Sequence, residues 1–278
     1  MPQIGQFNSL PISKFVDFGA YLDGGELGTI LLPKRYLPNE PEPGQFLDVF
    51  LYFDSESRLI ATTLKPRAVI GQCASMKVED VNRIGAFVDW GLPKQLLVPF
   101  GQQRRKMEVG EYHVVYVYQD EYSELIAGSS KLSNFLNEFN TDFVPNQSVD
   151  LLISNRTDLG YKAVINDTHL GMIFETEILQ PLKVGQKLKG YIKAIREDGK
   201  LDLSLQLQGQ SARDDIAEKI LAYMERHQGR CIYTDKSSPE DIYQNFQTSK
   251  GNFKKAIGGL LKRKEASYID GVLMRNKD

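Results

Sequence analysis

The sequence predicts a mainly β chain: three successive five-stranded barrels followed by a small C-terminal α/β domain. Three observations lead there. A short phrase recurs three times, apolar and polar residues alternate with a period of two through about residue 208, and the period changes to that of a helix after residue 210.

The recurring phrase is FVDFGAYLD at 15–23, NRIGAFVDWG at 82–91 and TDLGYKAVIND at 157–167, with its glycines at Gly19, Gly85 and Gly160. After each comes a second apolar phrase, LGTILLP at 27–33, KQLLVPF at 94–100 and LGMIFE at 170–175. A Gly-led strand follows, PGQFLDVFLYFD at 43–54, VGEYHVVYVYQD at 109–120 and VGQKLKGYIKAI at 184–195. Each unit closes on RLIATTL at 58–64, ELIAGSS at 124–130 or KLDLSLQ at 200–206. These runs are rich in Val, Ile, Tyr and Phe and are bounded by Gly, Pro and Asp, which is strand chemistry. About five strands per unit match the OB-fold barrel, whose exposed face commonly binds oligonucleotides; a repeated SH3-like barrel is the structural competitor. The expected modules are 1–66, 67–144, 145–208 and 211–278.

After residue 210 the pattern changes. SARDDIAEKILAYMERHQG at 211–229 sets Ile216, Ile220, Leu221 and Met224 along one stripe and stops at Gly229, as an amphipathic helix does. Ser238 caps a second helix, with Pro239 at its first position and Asp241 as the reciprocal acid. A third starts from Ser249, and YIDGVLM at 268–274 closes a hairpin on Asp270-Gly271. Helix, strand, helix, helix, hairpin is the order of a winged helix, a variant of the helix-turn-helix.

Several classes fall away. Of 278 residues, 34 are Lys or Arg and 36 are Asp or Glu, so the chain is no general polycation and any nucleic-acid site is local. No run approaches the roughly 18 apolar residues of a membrane helix. The first twenty residues lack the pattern of a secretory signal, and Cys73 and Cys231 lie outside any CxxC spacing. Two reduced thiols in a cytoplasmic protein are expected, with no membrane partner. His113, His169 and His227 show no ligand spacing, and GxxxxGK[ST], HExxH and GxSxG are absent. No cofactor, no metal and no catalytic residue is expected.

The order of FGA and an aromatic, then Gly with two apolar residues, then VGQ and a closing LxLS resembles the S1 RNA-binding domain, a branch of the OB-fold. More narrowly, FDSESRLIATTLKP at 53–66, GAFVDWGLPKQLLVPF at 85–100, TDLGYKAVIN at 157–166 and GYIKAIREDGKLDLSLQ at 190–206 resemble the bacterial conserved virulence factor B family, over nearly the whole chain. The resemblance implies tandem S1-like domains, a winged helix, and regulation of gene expression after transcription.

In S1 domains the places of Phe18 and Tyr21 form a stacking platform, and a bulge at Gly19 would bring both rings to one side. The second copy has Ile84 and Phe87 there; the third has Leu159 and Lys162, with Tyr161 moved by one. The family's histidine position reads as Leu31, Leu97 and Phe174, and its arginine as Arg58, Glu124 and Lys200. The second copy therefore reads as structural, or as a protein-contact module with Trp90 exposed. In the third, alternation puts Lys189, Tyr191 and Lys193 on one face, followed by Arg196 and Lys200, with His169 a groove residue or a turn residue. Cations interleaved with an aromatic suit a single-strand groove.

By module the net charge is −2 for 1–70, −3 for 71–144, 0 for 145–210 and +3 for 211–278. The expected function is non-enzymatic binding of single-stranded RNA. Tyr161, Phe174 and Tyr191 would stack on bases, and Lys162, Lys189, Lys193, Arg196 and the basic helix Lys254, Lys255 and Lys262 would contact phosphates. Phe18, Tyr21 and Arg58 would form a second platform. The alternatives are a regulator of duplex DNA working through the winged helix, and a protein adaptor on the ribosome or another partner.

Overall fold

The computed structural model describes residues 1–139, 142–178, 180–207 and 209–276. The first barrel is built from β1 (Phe7–Val16), β2 (Gly19–Asp23), β3 (Thr29–Pro33), β4 (Phe46–Phe53) and β5 (Leu59–Thr62). Its closed order, β1-β2-β3-β5-β4, with β3 parallel to β5, is that of the OB-fold. The second repeats it with β6 (Cys73–Val81), β7 (Gly85–Asp89), β8 (Leu96–Pro99), β9 (Tyr112–Gln119) and β10 (Ile126–Ser129). Here β8 lies beside β10 without a ladder between them, so the barrel is closed by packing rather than by hydrogen bonds. The third, β11 (Ser148–Thr157), β12 (Gly160–Ile165), β13 (His169–Phe174), β14 (Lys187–Ile195) and β15 (Leu201–Ser204), is closed in the same order as the first.

The repeated glycine has a steric cause. A Cβ on Gly19, Gly85 or Gly160 would lie 2.1, 2.4 or 2.1 Å from the carbonyl oxygen of Leu32, Val98 or Ile173 on the next strand. The residue before each glycine offers its carbonyl to the backbone N–H of Lys34, Phe100 or Glu175, the first residue of a short 3-10 turn. One glycine thus lets the second and third strands close together at the same point in every barrel.

The barrels are fused rather than strung loosely. Phe50 and Tyr52 of β4 pack against Trp90, at ring-centroid distances of 5.8 and 6.4 Å, in a core shared by the first two barrels. Trp90 is therefore only 2% exposed and is not the surface contact expected of it. Its indole N–H donates to the Lys94 carbonyl at 2.6 Å, which removes the polar cost of burying it. The second and third barrels share a smaller apolar cluster including Val114, Leu132, Leu152 and Val164, and the Cys73 N–H donates to Asp167 Oδ1 at 2.9 Å.

The C-terminal domain runs α1 (Gly209–Arg226), β16 (Arg230–Cys231), α2 (Pro239–Phe246), α3 (Lys250–Lys262), β17 (Ala266–Ile269) and β18 (Val272–Arg275), with sheet order β16-β18-β17. Ser238 Oγ accepts the Asp241 N–H and donates to the Asp241 carboxylate, so this cap is made between the two side chains as well as to the backbone. Asp270 and Gly271 both take positive φ, 50° and 80°, as a primed hairpin turn requires. Ile216, Ile220 and Met224 of α1 meet Phe253, Ile257 and Leu260 of α3 in one core.

Candidate nucleic-acid interface

Each barrel carries one extra residue in its first strand, Ser13, Glu79 or Ser154, where the register with the second strand shifts. Beyond that bulge the side chains of three strands line up on the outer face. The rows are Lys14, Tyr21 and Leu31 in the first barrel, Asp80, Phe87 and Leu97 in the second, and Asn155, Lys162 and Met172 in the third. The bulge expected at Gly19 lies instead on the partner strand at Ser13.

Pairing also corrects two sequence equivalences. Phe174 pairs with Gly160, as Pro33 does with Gly19, so the third-barrel counterpart of Leu31 is Met172 and not Phe174. The Arg58 carbonyl accepts from Asp54 N–H, the Leu125 carbonyl from Asp120 and the Lys200 carbonyl from Arg196. The second-barrel counterpart of Arg58 is thus Leu125, and Glu124 stands one residue before it.

In the first barrel the two rings of Phe18 and Tyr21 stand side by side. Phe18 is 57% exposed and meets Tyr21 edge-on at 6.4 Å, while Lys14 Nζ stands 5.6 Å from the Tyr21 ring centre. Strand alternation alone does not mark Lys14 as a site residue, because only the bulge brings it opposite Tyr21. Arg58 is exposed, but Asp54 at 2.8 Å and Glu56 at 2.9 Å offset its charge.

The third barrel differs from expectation at several places. Tyr161 occupies the inward position of Ala20 and Ala86, packs with Ile153 and Ala163, and is too buried to stack on a base. His169 is also buried, edge-on to Phe143 at 4.9 Å and hydrogen-bonded to Thr168 Oγ1, and burial lowers its pKa. It is neither groove nor turn but the first residue of β13. Lys189, Tyr191 and Lys193 do face outward while Gly190 and Ile192 are buried. Their cations are partnered: Lys189 with Asp150 at 2.8 Å, Lys193 with Glu177 at 2.6 Å, Arg196 with Asp202 at 2.6 Å, Lys200 with Asp198 at 3.4 Å, and Lys162 with Glu138 at 3.1 Å. Glu177 is held from its other oxygen by Ser204 Oγ at 2.7 Å. An incoming phosphate competes with these carboxylates, which weakens the gain from each contact. Arg196 also lies over the Phe174 ring at 5.2 Å, leaving a cation and an aromatic side by side.

On the winged helix, Lys254, Lys255, Gly258 and Lys262 face solvent along α3 while Phe253, Ala256, Ile257 and Leu260 are buried. Lys254 reaches Asp235 at 3.8 Å, and among the described residues Lys255 and Lys262 form no ion pair. Asn252 Nδ2 donates to Gln206 Oε1 at 3.1 Å, which ties the start of α3 to the segment leaving the third barrel.

Both cysteines are buried and unpaired in disulfides, and burial raises both thiols, Cys231 to about 11, so neither is a ready nucleophile at neutral pH. Among the described residues no group of three His, Cys, Asp or Glu is placed to hold a metal ion, and no helix is long and apolar enough to cross a membrane.

The S1 domain model matches residues 4–64 and 70–129, and the CvfB-like winged helix domain model matches 218–270. The third barrel lies outside both matches, and its strand order, its bulge at Ser154 and its Gly160 align it with the first two. Uncharacterized protein YitL of Bacillus subtilis is 32% identical over 285 residues, covering 98% of this chain and 94% of that protein. Conserved virulence factor B of Staphylococcus aureus strain USA300 is 26% identical, covering 86% and 82%. A crystal structure described as a multidomain protein with nucleic acid binding domains from Streptococcus pneumoniae is 26% identical, covers 98% of each chain and superposes with a TM-score of 0.42. S1 barrels and a winged helix are both nucleic-acid-binding modules, and with relatives matching in this order along nearly its whole length the chain belongs to the conserved virulence factor B family.

Proposed function

We propose that this protein is a non-enzymatic, cytoplasmic RNA-binding regulator that acts after transcription, holding single-stranded RNA along the outer face of the third barrel and the basic face of α3. The observation that carries this reading is the hydrogen bond from Asn252 at the start of α3 to Gln206 in the segment leaving the third barrel, with Lys255 and Lys262 exposed and unpaired among the described residues. OB barrels accept single strands because a groove neutralises phosphates while aromatic faces take bases of any sequence. In the third barrel those faces are Tyr191 and Phe174, and the phosphate contacts are Lys162, Lys189, Lys193, Arg196 and Lys200, joined by Lys254, Lys255 and Lys262. Phe18, Tyr21, Lys14 and Arg58 of the first barrel form a separate stacking site.

The helix-turn-helix position of α3 favours a second reading, recognition of duplex DNA. Fluorescence anisotropy with the full chain separates the two. Single-stranded RNA should bind more tightly than duplex DNA of equal length, and Lys193→Ala with Arg196→Ala should lower both affinity and its dependence on salt. Tighter, sequence-dependent binding of the duplex would replace this reading with the DNA one. Unchanged RNA affinity and salt slope in the double variant would remove the third barrel's edge from the site.

A further inference from the structure

We propose that the seam between the second and third barrels is an additional track for the sugar-phosphate backbone of single-stranded RNA, leading onto the outer face of the third barrel. This rests on the RNA reading above and adds to it a surface contributed by the acidic middle barrel.

The seam holds a cleft of about 440 Å³, lined by Arg104 and Arg105 from the loop after β8, Tyr112 and His113 on β9, and Asn155 and Arg156 just past the bulge of β11. It adjoins a hollow of about 210 Å³ that shares Arg104 and Asn155 and adds Lys131 and Lys162. Neither space has an aspartate or glutamate among its lining residues. Lys162 also lines a third groove, of about 190 Å³, with Arg196 and Lys200, where Glu138 is the lining acid. Four cations, Arg104, Arg105, Lys131 and Arg156, thus precede the groove already assigned to RNA, in spaces that run into one another through Lys162.

Their charge is more available than that of the β14 lysines. Among the described residues Arg104 and Lys131 form no ion pair. Arg156 meets Glu175 only at 3.9 Å with both side chains largely exposed, a separation and exposure at which a pair contributes little. Arg105 is the exception: its guanidinium meets Glu111 at 2.9 Å, and Glu111 also accepts from His113 at 2.9 Å. The His113 and Arg105 contacts lower the Glu111 pKa to about 2, so this carboxylate stays charged and restrains one of the cleft's cations.

The shape is preorganised. β9 packs against β11, the shared apolar cluster lies beneath, and the Cys73 to Asp167 hydrogen bond crosses the seam. A site that does not need to be ordered on binding loses less of its interaction energy to entropy. Three hollows in series fit a chain of phosphates better than one small anion, and the exposed Tyr112 ring at the rim, 61% accessible, offers a base a stacking surface.

The test is a KCl titration of a fluorescein-labelled 12-mer of oligouridylate with the full chain, read by anisotropy. Arg104→Gln, Lys131→Gln and Arg156→Gln are combined in one variant; none of the three side chains is buried, and an unchanged melting temperature checks the fold. With about 0.7 counterions released per phosphate on a single strand, the slope of log K against log [KCl] should become shallower by about 2. Glu111→Gln, which releases Arg105, should tighten binding. Wild-type slope in the triple variant together with wild-type affinity in Glu111→Gln, while Lys193→Ala and Arg196→Ala still weaken binding, overturns the seam and leaves the RNA reading standing. No binding of the 12-mer by the wild-type chain overturns both.

Discussion

The first and third barrels have the same strand order, the same bulge in the first strand and the same glycine opening the second, yet they present different chemistry at matching places. The first turns Lys14, Tyr21 and Leu31 outward and fills the adjacent inward position with Ala20. The third turns Asn155, Lys162 and Met172 outward and fills that inward position with Tyr161. A shift of one residue along β12 thus moves an aromatic from an outward position into the core. Strand alternation enforces this, because neighbouring side chains point to opposite faces. The fold sets where a ligand can lie, and the side chain at each outward position sets what kind of ligand it is.

The largest expected effect that tests this contrast is on stability. Tyr161→Ala should destabilise the chain by about 3–5 kcal/mol in urea unfolding, as aromatic truncation in a core does, whereas Tyr21→Ala should cost about 1 kcal/mol or less. Equal losses would mean that the two rings are not on opposite sides of their sheets. Next in size is binding: Phe18→Ala or Tyr21→Ala should each weaken single-stranded RNA by about 1–3 kcal/mol without altering the salt slope, since stacking releases no counterions. A changed slope would place charge rather than stacking at the first barrel. The smallest effect concerns His169. Burial lowers its pKa, so the stability it contributes is present above the unfolded value of 6.5 and is lost as pH falls through its folded value. Between pH 7.5 and 5.5 the wild-type melting temperature should fall further than that of His169→Gln, by about 4 °C at most, since even a whole kcal/mol moves a chain of this size by only about 2–4 °C. Parallel pH curves would contradict its burial.

Much of this was legible in the residues. Period-two alternation, the three glycines and the closing strands yielded barrels in the observed order, and Ser238, Ser249 and Asp270-Gly271 marked the winged helix, because these signals act within a few residues of one another. The site was legible in residue type more than in geometry. Lysines and aromatics on β14 do face outward, but the carboxylates of Asp150 and Glu177 that bind Lys189 and Lys193 come from another strand and a turn, 39 and 16 positions away. Trp90 reads as a candidate surface ring and is buried because the neighbouring barrel supplies Phe50 and Tyr52. The cations of the seam are concealed in the sequence because Arg104, Arg105 and Lys131 belong to a module whose net charge is −3.

By itself the sequence determined the class of each module, the register signals within it and the gradient of charge toward the C-terminus, all of which are local sums or periodicities. Only the tertiary structure decided which aromatics are surface and which are core, which cations are already neutralised, and that an acidic barrel turns Arg104 and Arg105 into a cleft against its neighbour. Burial and ion pairing are properties of atoms brought together across the chain, and for Trp90, Lys189 and Lys193 no short window of sequence contains both partners.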